Sequence, residues 1–237
     1  HHLDDTGEDD VYTKMDRALV ESWAPHSKIV WQEINMYSED ALEPGTTREQ
    51  IMAWRQGEDG AVAGRNIGYQ SMCRLWSGRL QSMSFLDRHD YYMRMDNDSL
   101  LKSKPQEDPF LHMHNMSKLY LWRRNAHDMH GVQELWQVTR DYVMKNNSLS
   151  HKIIRKKFTR YDRNRNSTVY GGVQPYNNFH ISKVSFWRSS TWQQVMKDMD
   201  ERHLFFKYRV GDANVHAIAL MMMGDDECKI EKTFPYA

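Results

Sequence analysis

Apolar positions along the chain recur with two periods, near 3.6 residues and of 2, and the switches between them lay out the elements. Helical spacing first appears over residues 11 to 23, with Tyr12, Met15, Leu19, Val20 and Trp23 on one face. KIVWQEI (28 to 34) then has the pattern of a strand, and TTREQIMAW (46 to 54) that of a helix with Thr46 or Thr47 as its cap and an acid in its first turn. IGYQSMCRLW (67 to 76) is helical again, DYYMRMD (90 to 96) and KLYLWRR (118 to 124) are strands, and DPFLHMHNM between them is a loop or short helix. The clearest amphipathic helix is GVQELWQVTRDYVMKN (131 to 146), where Val132, Leu135, Trp136, Val138, Tyr142 and Val143 share a face. A basic loop (151 to 166) precedes the strand-like NFHISKVSFWR (178 to 188), and a helix capped by Ser189 or Ser190 follows with Trp192, Val195, Met196 and Met199 inward. HLFFKYRV (203 to 210) has the pattern of a strand leading through Gly211 into the helix DANVHAIALMMM, with Asp212 as cap. Strands alternating with helices over this length predict one α/β domain with a largely parallel or mixed sheet.

Composition narrows the function classes. The 237 residues can bury a large core without disulfide support. The 32 basic and 32 acidic residues cancel, so no net field favours nucleic acid or an anionic membrane. Eight Trp, twelve Tyr and eight Phe suit a large core and also sugar-stacking surfaces. Cys73 and Cys228 allow one bridge and leave the redox compartment open. The longest apolar run, Ala217 to Met223, falls far short of the roughly 20 residues that cross a bilayer. Asn-x-Ser/Thr triplets at Asn97, Asn115, Asn146 and Asn166 lean mildly toward a secretory lumen.

The stretch YYMRMDNDSLL (91 to 101) carries the sharpest chemistry, because Asp96 and Asp98 flank one residue at the end of a strand. Alternate strand side chains share a face, so both carboxylates can aim at one hard cation bridging a diphosphate, and the same triplet also suits a solvated turn. An EF-hand starting at Asp96 fails at its fifth and sixth places, Leu100 and Leu101, and one starting at Asp162 fails at Ser167 and Val173. His112/His114 and His127/His130 lack the cysteines or the HExxH spacing that zinc would want. The basic run 151 to 165 could touch phosphates but is expected to be a solvated loop, and Met221 to Met223 a buried helix end. Asp212 can cap its helix or present a carboxylate to a site, and the cap is the expectation. His216 lies one turn on and could pair with it.

Six collinear blocks covering about residues 60 to 220, YQSMCRLWSG, DYYMRMDND, DPFLHMHNMSKLY, ELWQVTRDYV, NFHISKVSFWRSSTW and FFKYRVGDANVHAIA, together resemble the fungal Golgi α-1,2-mannosyltransferase family. The resemblance implies an α/β fold of the GT-A type, a mixed central sheet flanked by helices, and retaining transfer of mannose from GDP-mannose with manganese. The acceptor would be a glycan or glycoprotein hydroxyl, in protein glycosylation or cell-wall glycan synthesis. It sets Asp96-Asn97-Asp98 on the family's metal and diphosphate motif, and Tyr69 and Arg74, in the first block, at the donor. Asp212 falls on an aspartate beside the reacting centre, while His180 stands where the family has a glutamate proposed as nucleophile or charge stabiliser. An imidazole cannot repeat carboxylate chemistry there, so either front-face attack or an altered activity is expected. The alternative is a catalytically impaired carbohydrate-binding or scaffold relative. The resemblance also implies a catalytic domain cut at both ends and a Golgi-lumenal enzyme whose membrane anchor lies outside these residues.

Overall fold

The computed structural model describes residues 14–62, 66–96, 99–145, 159–164, 166–223 and 228–230. Among the described residues the strands are, in chain order, β1 (Tyr91–Met95), β2 (Tyr120–Trp122), β3 (Asn125–His127), β4 (Thr159–Asp162), β5 (Ser167–Tyr170), β6 (Val173–Pro175), β7 (Phe179–Lys183) and β8 (Cys228–Ile230). The α-helices are α1 (Lys14–Trp23), α2 (Arg48–Arg55), α3 (Ile67–Arg74), α4 (Pro109–Asn115), α5 (Val132–Lys145), α6 (Val184–Trp187), α7 (Ser190–Glu201) and α8 (Asp212–Met223). The central sheet is mixed, in the order β1-β7-β2-β8, with β2 and β8 parallel and the other pairs antiparallel. Two small antiparallel ladders, β3-β6 and β4-β5, stand apart from it.

Register divides the central sheet into two faces. Tyr92, Ser182 and Tyr120 are aligned across it, as are Arg94, His180 and Trp122. These residues share one face because side chains alternate along a strand. That face packs into the large core built with α5, α7 and α8. Leu121, Phe179 and Ile181 occupy the other face and close with Met113 of α4 into a smaller cluster. β7 is buried from Phe179 through Ser182, as a central strand should be. α8 is buried at every position except Ala213, which explains why its sequence shows no polar face.

Local signals hold at three of the helix starts. Thr47 accepts from Gln50 N–H while the Gln50 side chain accepts from Thr47 N–H, a reciprocal capping box that opens α2. Asp108 caps α4, so DPFLHMHNM is a helix, and Ser189 caps α7 through Trp192 N–H. NFHISKVSFWR is only half strand, because β7 gives way to α6 at Val184. The inward residues expected of α5 and α7 are all buried.

Two expected strands are not formed. Residues 28–34 have no ladder partner among the described residues and leave Val30 and Trp31 exposed. The α1 face also departs from expectation, since Leu19 and Trp23 are exposed. Residues 203–210 form turns between left-handed residues at His203 (φ 55°) and Arg209 (φ 59°), and Leu204, Phe205 and Phe206 are buried in succession. Side chains replace the missing ladder: Gln70 Nε2 donates to the carbonyls of Phe205 (3.1 Å) and Phe206 (3.2 Å), and Phe205 N–H donates to Glu43 Oε1 (2.9 Å). Gly131, at φ 62°, admits this loop to the start of α5, where a Cβ would stand 2.4 Å from Val210 Cγ2. The loop delivers the chain to Gly211 and α8.

Glu43 is buried, and burial pushes its carboxyl up from 4.5 to about 7 against the opposing pull of His203 and Phe205 N–H. A raised folded-state value means the folded chain holds the proton that the unfolded chain releases above pH 4.5. Its contribution is therefore full below about pH 4.5 and lost as pH rises through about 7. Glu43→Gln should flatten the pH dependence of stability in that window and be the more stable form at pH 8, by up to roughly 3 kcal/mol. Thermal midpoints of both proteins at pH 5 and pH 8 check this, and a difference that does not change with pH contradicts it.

Candidate active site

The sheet face described above ends in a cleft of about 270 Å³. Its walls come from the end of β1 (Arg94, Asp96), from α3 (Tyr69, Met72), from the β3-β6 ladder (Ala126, Gln174, Pro175) and from the start of α8 (Asp212, Ala213). Strand parity makes the first contribution intelligible. Tyr92, Arg94 and Asp96 follow one another at spacing 2, so they point to the same side, and Arg94 is drawn inward with them.

Arg94 ties the cleft together. Its Nε and Nη2 donate to Asp96 Oδ1 (2.7 Å) and Oδ2 (3.3 Å), and its Nη1 donates to Asp212 Oδ2 (2.5 Å). The guanidinium lies 4.3 Å from the centre of the Trp76 ring. Burial works against its charge, yet the two carboxylates outweigh that cost and hold its pKa above the ordinary arginine value. Asn177 Nδ2 also donates to Asp212 Oδ2 (2.9 Å). Asp212 is the first residue of α8 instead of its cap, and its carboxylate faces the cleft and Arg94.

His180 does not line the cleft but lies beneath it, fully buried. The carbonyl of Asn177 can only accept, so His180 Nδ1 carries the proton and donates to it (2.9 Å). Nε2 then accepts from the Tyr92 hydroxyl (3.0 Å), which itself receives a hydrogen bond from Gln81 Nε2 (2.7 Å). His216 is arranged the opposite way: Nε2–H donates to the Trp76 carbonyl (2.9 Å) and Nδ1 accepts from the Tyr120 hydroxyl (2.7 Å). It makes no bond to Asp212, contrary to the pairing its spacing suggested. The two imidazoles are 5.0 Å apart, and His180 stacks on Tyr120 at 5.0 Å. Burial first, and the charge of Arg94 with it, lowers His180 well below the ordinary imidazole range, and burial takes His216 down to about 4. Both rings are neutral, and both nitrogens of each are engaged.

The structure brings Tyr69, Asp96 and Asp212 to one cleft. Arg74 faces elsewhere: its guanidinium makes a two-pronged pair with Asp200 (2.7 and 2.5 Å) and donates to the Ala41 carbonyl. Asp98 lies outside the described residues. Cys73 is buried and interacts with Asp212, Cys228 Sγ lies 3.6 Å from Met223 Sδ, and the two cysteines are not joined in a disulfide. No group of three or more His, Cys, Asp or Glu side chains converges among the described residues. For a cation that keeps its waters and leans on a diphosphate, one or two carboxylates are enough. Asp96, partly exposed at the cleft edge and with lone pairs beyond those facing Arg94, fits that more modest role.

Sequence reasoning missed Arg94, Asn177 and Gln174. Arg94 had a signal, a lone cation on the inward parity of an apolar strand two residues before an aspartate. Asn177 and Gln174 had none, since their roles come from the β3-β6 ladder and the turn after it.

A family model described as glycolipid 2-alpha-mannosyltransferase matches residues 46–232. Glycolipid 2-alpha-mannosyltransferase 1 of Candida albicans is 28% identical over 181 residues, which cover 76% of this chain and 40% of that protein. Glycolipid 2-alpha-mannosyltransferase of Saccharomyces cerevisiae is 29% identical over 159 residues, 67% of this chain and 35% of that protein. The chain thus spans less than half the length of these relatives. Core-mannan synthase A from Aspergillus fumigatus, solved in an Mn/GDP form, superposes with a TM-score of 0.78 at 20% identity, over 95% of this chain and 62% of that one. The mannosyltransferase Ktr4p of Saccharomyces cerevisiae in complex with GDP gives 0.77 at 20% identity, over 95% and 59%. The α/β fold with a mixed central sheet is therefore that of these mannosyltransferases.

If Arg94 balances the buried Asp212, its removal leaves an uncompensated charge. Arg94→Leu should lower stability by about 3–5 kcal/mol, and Asp212→Asn in that background should recover part of the loss. Denaturant midpoints of the two variants check this, and no recovery in the double variant contradicts the pairing.

Proposed function

Because this chain belongs to the glycolipid 2-alpha-mannosyltransferase family, we propose that it is the catalytic part of an α-1,2-mannosyltransferase that moves mannose from GDP-mannose onto a sugar hydroxyl with retention. The observation that carries the reading is the pair of carboxylates, Asp96 and Asp212, held at one cleft by a single buried guanidinium. Asp96, with Asp98 beyond the described residues, would hold Mn2+ against the donor diphosphate. When bound, that cation supplies positive charge to the departing phosphate oxygens. Tyr69, exposed on the cleft wall, would hold the donor. Arg74 keeps a structural role through Asp200.

Retention fits a front-face path in this chain. The bond from the anomeric carbon to the phosphate oxygen breaks and its electron pair leaves with the diphosphate. The acceptor oxygen bonds to the same face of that carbon and its proton passes to the departing phosphate. No enzyme nucleophile is required. His180 is suited to none of the alternatives, being buried, neutral and bonded through both nitrogens. Asp212 is fixed by Arg94 and Asn177, so it orients and offers negative charge to the oxocarbenium-like carbon. The Golgi lumen and an anchor outside these residues complete the reading. Asn115 and Asn166, two of the glycosylation triplets, are exposed, and among the described residues no helix is long and apolar enough to cross a membrane.

GDP-mannose turnover with Mn2+ by the full-length protein is the test. Asp98→Ala should cost at least about a hundredfold in rate. Turnover untouched by that change removes the cation from this site, and no turnover with any nucleotide-sugar favours a carbohydrate-binding relative that has lost the chemistry.

His180 gives a separate prediction. His180→Gln can keep one donor and one acceptor and should retain transfer within about tenfold, whereas His180→Glu should not raise it. A sharp gain on introducing glutamate would show that the native histidine is a lesion.

A further inference from the structure

Gln174 lies in β6 directly opposite Ala126 of β3, and both line the cleft together with Asn177 and Asp212. The residue is buried, at 8% relative exposure, and its Oε1 is itself shielded from solvent and has no hydrogen-bond partner. Among the described residues it is the one buried side-chain acceptor on the cleft wall left unsatisfied. Three polar side chains that line the same cleft are committed elsewhere: Asn177 Nδ2 to Asp212, Asp212 to Arg94, and Asp128 Oδ1 to the backbone N–H and ring of His130. A buried amide oxygen without a donor costs about 1–3 kcal/mol, and the cross-strand neighbour, Ala126, is too small to fill the space beside it.

We propose that Gln174 is a specificity-determining residue that accepts a hydrogen bond from one hydroxyl of a sugar seated in the cleft beside Asp212. The reading rests on the proposed mannosyl transfer and adds to it the group that recognises the sugar. An amide oxygen repels phosphate, so the diphosphate is not its ligand. A hydroxyl donates to Oε1 and can still accept from the amide nitrogen. A sugar lacking that hydroxyl leaves the same buried oxygen unpaired, which is the strongest form of discrimination such a site has. The hydroxyl belongs either to the mannose of the donor or to the acceptor sugar; the chemistry is one, and the substrate series below separates the sources.

The test uses the full-length protein, with Gln174→Leu and Gln174→Glu, which keeps an acceptor oxygen. Two readouts are taken: binding of methyl α-mannoside and its monodeoxy analogues by saturation-transfer NMR in the presence of GDP and Mn2+, and kcat/KM for monodeoxy acceptors and monodeoxy GDP-mannose donors. One monodeoxy sugar should be about tenfold to a hundredfold poorer than its parent with the unaltered protein. Gln174→Leu should lose that same factor on the parent sugar and nothing further on the analogue, while Gln174→Glu should keep the discrimination. Loss confined to the acceptor series assigns the hydroxyl to the acceptor, and loss confined to the donor series assigns it to the donor. Equal losses on every sugar, or none, overturn the proposal and leave Gln174 as a wall residue solvated by water. If the protein binds mannosides with this pattern but transfers no mannose, the proposed reaction falls and the Gln174 assignment stands. If it binds and turns over no sugar, both fall.

Discussion

A guanidinium cannot be buried alone, and much of this structure follows from where the charge of Arg94 is answered. β1 carries Arg94 inward because its parity is that of Tyr92, and the inward face of the sheet is apolar and aromatic. Two carboxylates meet it there, one two residues along the same strand and one at the first turn of a helix 118 residues later. This pair of contacts fixes the start of α8 against the end of β1, and with it the mouth of the cleft. The loop 203–210 can then be irregular without disorder, because Glu43 and Gln70 satisfy its backbone groups and Arg94 receives the helix at its end.

The same charge shapes the floor. Two histidines lie fully buried near Arg94, where a second and third positive charge would be costly, and both are held neutral. Each is fixed as a defined tautomer by one backbone carbonyl and one tyrosine hydroxyl. The hydroxyls of Tyr92 and Tyr120 are thereby used as donors inside the core, where an unpaired one would be expensive. At position 180 a neutral ring completes this network. The ring is thereby taken up by structure, and Asp96 and Asp212 are the carboxylates that Arg94 holds at the cleft.

Much of the architecture was legible in the chain. Caps at Thr47 and Ser189, the apolar stripes of α5 and α7, and the alternation in β1 are local, and local physics is enough to form them. KIVWQEI and HLFFKYRV misled because strand-like alternation is only half of a strand. The other half is a partner with free backbone groups, which no window of sequence contains. At residues 203–210 the partners are side chains, Glu43 and Gln70, more than a hundred residues away.

The sequence by itself determined the class of fold, the strand that ends in Asp96, and the set of collinear blocks that mark the family. Only tertiary structure decided which of the marked residues meet. Asp212 was readable as a cap because a carboxylate before a helix is usually one, and it became a cleft residue because Arg94 and Asn177 reach it across the fold. Arg74 had the sequence of a donor ligand and turned to Asp200. His180 had the position of a catalytic group, and the register of β7 between β1 and β2 put it under the floor. Identity and spacing are properties of the chain, whereas the direction in which a side chain points, and what answers its charge, is set by strand register and helix packing between distant segments.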